Sequence, residues 1–382
     1  MDEHQQNCFA ALMTAKTVSA ISNILLVGCQ ARNVLDQVFK PTGTKYDFSD
    51  GTILHGNIHD DKRIVDEIIL GCEGNDSFSL NCHGNPIIVE NILELLKKHG
   101  AVIINAEDII SYTARKKFGD NIIAVEAEIA AQKAETLEGA KIIQHQMKMG
   151  LVQAAQWWLK HIDVMEIDDI RSAAEQIIAD SKIASYFISG VKIVLAGPPN
   201  SGKSTLFNYL CGKEKAIVTD IAGTTRDWLS ARIRLKKITA EFFDTAGLDD
   251  ILKGKNVIDA QSQKLSLEMA AKADLILYVA DASNPLEPIP NLVNYFNTLI
   301  VVNKCDLGNN VSADGVKISA KTGTGVKELI DEIEYALGVT EYDWKKTVCF
   351  TDRQREIIRR ISSAQNKEQV KRSIIALLQG LN

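Results

Sequence analysis

A glycine-rich octapeptide near the middle of the chain carries the clearest chemistry. Residues 197–204 have the sequence Gly-Pro-Pro-Asn-Ser-Gly-Lys-Ser, the spacing of a phosphate-binding loop. In such a loop, backbone N–H groups and a helix N-terminus hold the phosphates. Lys203 is placed to reach the β- and γ-phosphates, and the Ser204 hydroxyl to bind Mg²⁺. A glycine-rich turn without a ligand is the alternative, but the apolar strand 192–196 before the loop and the helical pattern at 205–210 after it argue against that.

Two further segments supply side chains that a nucleoside triphosphate and its metal require. Residues 244–247 are Asp-Thr-Ala-Gly at the end of a predicted strand. Asp244 is placed to bind the metal directly or through water, and the Gly247 N–H can reach a γ-phosphate. The polar segment 219–227 is expected to be a mobile loop that closes over γ-phosphate and Mg²⁺ through Thr225. A surface turn is the alternative for this segment.

The segment Asn303-Lys304-Cys305-Asp306 follows an apolar predicted strand and bears on the choice of base. The Asp306 carboxylate can accept hydrogen bonds from both N1–H and the exocyclic amine of guanine. Adenine would leave that carboxylate unpaired, at a cost of about 1–3 kcal/mol or more. A polar cap after a strand is an equal alternative in isolation, and the phosphate-binding loop earlier in the chain favours guanine. Ser319-Ala320-Lys321 follows the next predicted strand and is expected to support the base through backbone N–H groups.

These motifs together predict one site for GTP or GDP with Mg²⁺, in the order and spacing of a Ras-like GTPase domain. Catalytic roles fall to Lys203 and Thr225, and the Mg²⁺ ligands are Ser204, Thr225 and Asp244. The residues expected to contact the nucleotide form five segments: Asn200, Ser201, Gly202, Lys203, Ser204 and Thr205; Thr219, Asp220, Ile221, Ala222, Gly223, Thr224 and Thr225; Asp244, Thr245, Ala246 and Gly247; Asn303, Lys304, Cys305 and Asp306; Ser319, Ala320 and Lys321.

Alternating strand and helix patterns surround the motifs, which is typical of a doubly wound α/β domain over residues 190–338. The strands are predicted at 192–196, 231–235, 239–244, 275–280, 299–303 and 316–318. Residues 119–189 have strong helix propensity and fit two or three long helices. Residues 339–382 are helical again, which predicts an α-helical domain into which the α/β domain is inserted. Residues 1–118 mix both patterns and predict a small α+β domain, with a helix at 86–99.

Composition excludes several classes of protein. The chain has 382 residues, 46% of them hydrophobic and 24% charged, as in ordinary globular proteins of two or three domains. A net charge of −6 argues against broad non-specific nucleic-acid binding. The seven scattered cysteines form no C-x-x-C pair, which favours reduced thiols in a cytosol. The acidic, polar start is not a signal peptide, and no apolar run is long enough to cross a bilayer. We therefore expect a cytoplasmic protein without a membrane partner.

Several segments resemble the MnmE/TrmE family of tRNA-modification GTPases. Within the GTPase domain, residues 218–227, Asn200 in the phosphate-binding loop and residues 244–248 are similar to that family. The resemblance extends into the first 118 residues, at 48–51, 55–56, 65–67, 81–84 and the helix that follows. It implies an α/β Ras-like P-loop GTPase domain inserted in an α-helical domain, with a small α+β N-terminal domain.

The resemblance also implies how the enzyme works. Hydrolysis would depend on K⁺, which supplies the positive charge that an arginine finger gives elsewhere. The implied K⁺ ligands are Asn200, Thr219, Ile221 and Thr224. Leu248 stands where Ras-like enzymes have a water-orienting glutamine. The family's water-orienting acid is a glutamate on the next helix, and Asp259 is its nearest match here. Implied partners are a second copy, bound through the N-terminal domain, an FAD-dependent protein of the MnmG/GidA type, and tRNA.

The chain also departs from the family pattern. The family's N-terminal domain binds a tetrahydrofolate one-carbon donor. The G-R-G-G segment of the family is missing from this chain around residues 14–20, and the position of the arginine that follows this segment in the family falls near Leu25. Residues 378–382 lack the family's Cys-x-Gly-Lys, which carries a proposed catalytic thiol. We therefore expect a degraded folate site and loss of that thiol. Three functions stay open: a tRNA-modification GTPase, a stand-alone regulatory GTPase, and a GTP-binding scaffold with negligible turnover.

Overall fold

A computed structural model describes residues 8–43, 47–74, 76–213, 217–220, 229–244, 271–283, 297–308 and 315–380. Contacts between Cα atoms divide the chain into two compact units, Met1–Ile129 and Ala130–Asn382. In the ranges just given, no helix combines the length and the apolar composition that crossing a bilayer requires.

The first unit is built on a seven-stranded sheet in the order β3-β4-β5-β6-β2-β1-β7. Its strands are β1 (Cys8–Leu12), β2 (Ile21–Val27), β3 (Phe39–Pro41), β4 (Ile53–Asp60), β5 (Arg63–Cys72), β6 (Ser77–His83) and β7 (Ala101–Ile103). Neighbouring strands are antiparallel except for β1 and β7, which are parallel. Apolar side chains alternate along β5, where Ile68 and Leu70 are buried and Ile69 is exposed, so one face of this strand belongs to the core.

Among the described helices, α1 (Ala31–Val38), α2 (Pro86–Lys98) and α3 (Ala106–Phe118) pack against this sheet. The Asn85 side chain caps α2 by accepting a hydrogen bond from the Ile87 N–H at 2.9 Å, and Pro86 fits the first turn because it needs no partner there. The buried side chains of α2 join the main core: Val89, Ile92, Leu95 and Leu96. Helix α3 instead packs Ile109 and Ile110 in a smaller apolar cluster.

The second unit contains a seven-stranded sheet in the order β14-β13-β12-β8-β11-β10-β9. Its strands are β8 (Val191–Ala196), β9 (Ile217–Asp220), β10 (Leu229–Arg234), β11 (Thr239–Asp244), β12 (Leu275–Asp281), β13 (Thr298–Asn303) and β14 (Val316–Lys317). Strands β11, β8, β12, β13 and β14 are parallel to one another. Beyond β11, strand β10 is antiparallel to β11, and β9 is antiparallel to β10. The carboxyl ends of the parallel strands therefore meet at one edge, and each predicted motif begins there.

The described helices that follow β7 and α3 in the chain are α4 (Ile122–Ala131), α5 (Leu137–Lys148), α6 (Gly150–His161), α7 (Ile167–Ser189), α8 (Lys203–Lys213), α9 (Val326–Ala336), α10 (Asp352–Ser362) and α11 (Lys367–Gln379). Helix α7 packs against α5 and α10, and α6 packs against α5 and α11. Helices that precede β8 in the chain therefore pack directly against helices that follow α9.

The strands predicted in the second unit agree with the structure to within two residues at each end. Two expectations were wrong. Residues 122–189 form four helices and not two or three, because the chain turns between Lys148 and Gly150, where Gly150 has a φ of 49°. Thr219 and Asp220 belong to strand β9, not to a loop, because their backbone pairs with β10.

Candidate functional site

The phosphate-binding loop leaves the end of β8 and leads into α8. Gly197 has a φ of 132°, and a Cβ atom there would lie 2.0 Å from the carbonyl oxygen of Val279 on β12. Only glycine fits this close approach. Asn200 has a φ of 63°, in the left-handed region that non-glycine residues rarely adopt. The Lys203 ammonium donates to the carbonyl oxygens of Gly197 at 2.5 Å and Pro198 at 3.0 Å, so it is held against the loop.

Ser204 and Asp244 meet at the same edge of the sheet. Ser204 lies in the first turn of α8, Asp244 is the last residue of β11, and the serine hydroxyl donates to Oδ2 of the carboxylate at 2.7 Å. A hydroxyl and a carboxylate are the hard oxygen ligands that Mg²⁺ prefers. The two predicted Mg²⁺ ligands that the structure describes are therefore close enough to bind one ion.

Asn303 joins the phosphate-binding loop to the two loops predicted to bind the base. It is 2% exposed at the end of β13. Its Nδ2 donates to the carbonyl oxygen of Ser201 at 2.8 Å, and its Oδ1 accepts from the N–H of Ala320 at 2.9 Å. A Cβ on Gly202 would lie 2.2 Å from that Nδ2, so the second glycine of the loop makes room for the asparagine. The predicted phosphate and base segments are thus parts of one hydrogen-bonded structure.

The carboxyl group of Asp306 favours its charged form, which accepts hydrogen bonds. It lies in a short 3₁₀ helix, Cys305–Leu307, at the carboxyl end of β13. A hydrogen bond from the buried Ser319 side chain, helped by the charge of Lys321, lowers the pKa of the Asp306 carboxyl. The N–H of Ser319 donates to Thr324 and that of Ala320 to Asn303, so both are engaged within the protein. Contact between the backbone of 319–321 and a base stays a prediction.

The sequence analysis missed two residues beside the predicted base site. Asp281, the last residue of β12, pairs with Lys304: its Oδ2 lies 2.7 Å from the lysine Nζ. Ser283 donates to the other carboxylate oxygen of Asp281. A signal in the sequence could have found them. The apolar strand ends in an Asp that stands two residues before a Ser, and this pattern favours a turn closed by the Asp side chain.

The remaining predicted site residues are placed as follows. Thr205 is exposed on α8, and Cys305 is partly exposed in the 3₁₀ helix. Thr219 and Asp220 lie on β9, at the end of the sheet order away from β12 and β13. Other predicted site residues lie outside the described residues, and so does the position of the missing glutamine: Ile221, Ala222, Gly223, Thr224, Thr225, Thr245, Ala246, Gly247, Leu248 and Asp259. The described part of the site thus comprises the phosphate-binding loop, Asp244, the two base segments and, on β9, Thr219 and Asp220.

Comparison with known proteins identifies relatives that match most of the chain. The model of the 50S ribosome-binding GTPase family matches residues 192–304. The tRNA modification GTPase MnmE of Aquifex aeolicus is 30% identical over 373 residues, which cover 86% of this chain and 81% of the relative. That of Clostridioides difficile is 28% identical, covering 85% and 80%. Among solved structures, the G domain of the T. maritima FeoB iron transporter covers 38% of this chain and 98% of its own, at 25% identity and a TM-score of 0.33.

The relative from Endomicrobium trichonymphae shares the same description and is also 30% identical, covering 89% of this chain and 84% of its own length. The GTPase match contains the phosphate-binding loop, Asp244 and the first residues of the guanine segment, and the chain accordingly carries a GTP-hydrolysing P-loop domain. At this level of identity over most of both sequences, the chain belongs to the MnmE family of tRNA modification GTPases.

Proposed function

We propose that this chain hydrolyses GTP and couples the hydrolysis to modification of the wobble uridine of tRNA. The GTP part of the proposal rests on the double hydrogen bond of Asn303, to Ser201 on the phosphate side and to Ala320 on the base side. The tRNA part rests on the relatives described as tRNA modification GTPases. The buried amide of Asn303 links the segment predicted to bind phosphates to the segment predicted to bind the base. Such a site is suited to a whole nucleotide and not to a phosphate alone. Its charged acceptor, Asp306, makes that nucleotide a guanine nucleotide.

Each described residue has a distinct task in this proposal. The N–H groups at the start of α8 and the Lys203 ammonium bind the β- and γ-phosphates. Ser204 and Asp244 would hold Mg²⁺, directly or through water, and this ion would supply positive charge that neutralises the phosphates. Asp306 accepts two hydrogen bonds from guanine. None of these groups positions the attacking water, so the described site binds and polarises GTP but needs a further residue for hydrolysis.

We assign that remaining task to Asp259, assisted by K⁺. The K⁺ ligands would be Asn200, Thr219, Ile221 and Thr224, with Thr225 closing on Mg²⁺ beside them. In support, Asn200 is an exposed residue with a left-handed backbone conformation inside the phosphate-binding loop, and an amide oxygen is a suitable K⁺ ligand. Leu248 has no polar group with which to orient water, so the carboxylate of Asp259 is the better candidate.

We propose four domain segments: 1–118, 119–189, 190–338 and 339–382, the second and fourth forming one helical domain around the inserted GTPase domain. Long-range hydrogen bonds support this arrangement. Arg171 on α7 donates to the carbonyl oxygen of Ala364, and the Ser181 hydroxyl on the same helix accepts from the N–H of Cys349 at 2.8 Å. The N-terminal domain would form the homodimer.

Tetrahydrofolate does not fit the residues at the position where the family has its arginine. Leu25 lies near that position and packs in the apolar cluster with Ile109 and Ile110. A leucine there offers no charge to an anionic folate. We therefore derive no reaction step through this cofactor. The complex would work in the cytoplasm, where tRNA is used.

A potassium-dependent GTPase assay on the purified chain, with and without tRNA and the FAD-dependent partner, tests the proposal. We expect phosphate release to be faster in K⁺ than in Na⁺, and the full mixture, supplied with a one-carbon donor, to yield modified wobble uridine. Asp259→Ala should slow phosphate release at saturating GTP and leave GDP affinity unchanged, whereas Asp169→Ala, at an exposed position on α7, should change neither. Phosphate release that is equal in K⁺ and Na⁺ would contradict the role of K⁺.

Leu25 also favours a second candidate, a regulatory GTPase that has given up the modification reaction. In that case, the full mixture would give no modified tRNA while a complete family member does. A partner protein or RNA would be captured by the chain loaded with a non-hydrolysable GTP analogue and not by the GDP-loaded chain. Equal capture in both states would contradict a regulatory role, and absence of phosphate release in K⁺ would identify a GTP-binding scaffold.

A further inference from the structure

The side chain of Asp281, the last residue of β12, is held by several hydrogen bonds. Its backbone lies opposite Asn303 in the register of β12 and β13. One carboxylate oxygen accepts from the N–H of Ser283 at 2.9 Å and from the Ser283 hydroxyl at 2.6 Å. The other lies 2.7 Å from Nζ of Lys304. The Asp281 side chain is 12% exposed and that of Lys304 is 30% exposed, so the ion pair is largely shielded from water.

The charge on Asp281 is maintained despite this shielding. Partial burial raises the pKa of the carboxyl, but the hydrogen bonds from Lys304 and Ser283 outweigh burial and lower the pKa below its ordinary value of 3.8. The carboxylate is therefore ionised at neutral pH. An ion pair that is largely shielded from water is screened by salt less than an exposed pair, so the attraction between its two charges is stronger.

Lys304 stands between two residues that bear on the nucleotide. Asn303 precedes it and ties the strand to the phosphate-binding loop, and Asp306, two residues later, is the acceptor for the base edge. The Lys304 backbone has a φ of 66°, so the chain turns sharply at this residue and sends its side chain away from the path of the strand. With its ammonium fixed on Asp281, the four-carbon stem of Lys304 crosses from the guanine segment to the end of β12.

We infer that Asp281 is a positioning residue for guanine-nucleotide binding, which it supports by fixing the side chain of Lys304 as a wall of the base pocket. Asp281 acts through Lys304 and does not touch the nucleotide. The inference rests on the proposed GTP function and adds to it a residue outside the recognised motifs. A cation and its alkyl stem at the face of a purine contribute affinity without reading its edge. Asp281 should therefore affect how tightly nucleotides bind but not the preference for guanine.

The test measures dissociation of a fluorescent GDP analogue from the full chain by stopped flow. Asp281→Asn retains an oxygen acceptor for Ser283 and removes the charge that holds Lys304. We expect dissociation about tenfold faster, the loss typical of a hydrogen bond to a charged group. Asp281→Glu keeps the charge and should stay within about threefold of the wild type. The ratio of GDP to IDP affinity should not change, since IDP lacks only the exocyclic amine that Asp306 binds.

A double-mutant cycle separates positioning from a merely structural role. If Asp281 acts through Lys304, then Asp281→Asn should add nothing to the effect of Lys304→Met. Additive effects, or an unchanged dissociation rate with a lowered melting temperature, would overturn the inference. So would a rate in Asp281→Glu as fast as in Asp281→Asn. A wild-type chain that fails to bind GDP would overturn the GTPase function as well, whereas tight wild-type binding that Asp281→Asn leaves unchanged overturns this inference alone.

Discussion

The side-chain amide of Asn303 donates a hydrogen bond to the carbonyl oxygen of Ser201, 2.8 Å away and 102 positions earlier in the chain. Together with the bond from Ala320, it makes this 2% exposed side chain the junction of three loops. Loops that must hold one small ligand between them lose affinity if they move independently, because ordering them then costs free energy on binding. The junction is therefore expected to order the pocket before the nucleotide arrives.

Asn303→Ala should leave the Ser201 carbonyl and the Ala320 N–H without this partner. Each such buried group costs about 1–3 kcal/mol, so we expect lower stability together with GDP affinity reduced by roughly tenfold or more. Thermal unfolding with and without GDP measures both effects. Asn91→Ala, at an exposed asparagine on α2, is the matched control and should behave as the wild type. GDP affinity that is equal in the two variants would contradict the role of the junction.

The sequence predicted the places where the motifs begin because short-range patterns determine them: a buried apolar strand, a glycine-rich turn, a helix. It could not predict partners brought together by folding. Asp281 and Lys304 are ordinary charged residues until strands β12 and β13 lie side by side. Likewise, Thr219 and Asp220 have the polar character of a loop, and only pairing with β10, nine or more residues later, makes them a strand.

A buried glutamine was equally unpredictable from its sequence position, since glutamine is mostly exposed in proteins. Gln146 on α5 is 0% exposed. Its Oε1 accepts from the N–H groups of Leu151 and Val348, and its Nε2 donates to the carbonyl oxygen of Lys346. This side chain explains two local features at once: the turn from α5 into α6 and the attachment of the segment after α9.

Gln146→Ala should lower the stability of the helical part of the chain by about 1–3 kcal/mol or more, because it removes the partner of several buried backbone groups. Gln144→Ala, on the same helix but at an exposed position, removes the same number of atoms and should change stability by about 0.5 kcal/mol at most. Urea unfolding followed by circular dichroism compares the two. Faster hydrogen exchange at the amides of Leu151 and Val348 in Gln146→Ala alone would locate the effect.

Lys203→Ala should abolish GDP and GTP binding at micromolar nucleotide. The ammonium is held against the phosphate-binding loop by the carbonyl oxygens of Gly197 and Pro198, and charge-assisted bonds to two phosphates account for a loss of roughly 100-fold or more. Isothermal titration calorimetry measures the affinity, with Lys192→Ala, an exposed lysine on the neighbouring strand β8, as the control. Equal affinity in both variants would show that phosphates do not bind at this loop.

The preference for GDP over IDP should be independent of pH from about pH 7.5 to about pH 5. The hydrogen bond from Ser319 is the main reason why the pKa of Asp306 lies below its ordinary value of 3.8. A group whose pKa is lowered in the folded protein stays ionised until the pH falls through that lowered value, so the acceptor for guanine is intact throughout this range. The ratio of the two affinities cancels protonation of the diphosphate, which both ligands share. Competition against fluorescent GDP at several pH values gives this ratio, and a fall with a midpoint between pH 5 and 7 would mean that another group reads the guanine edge.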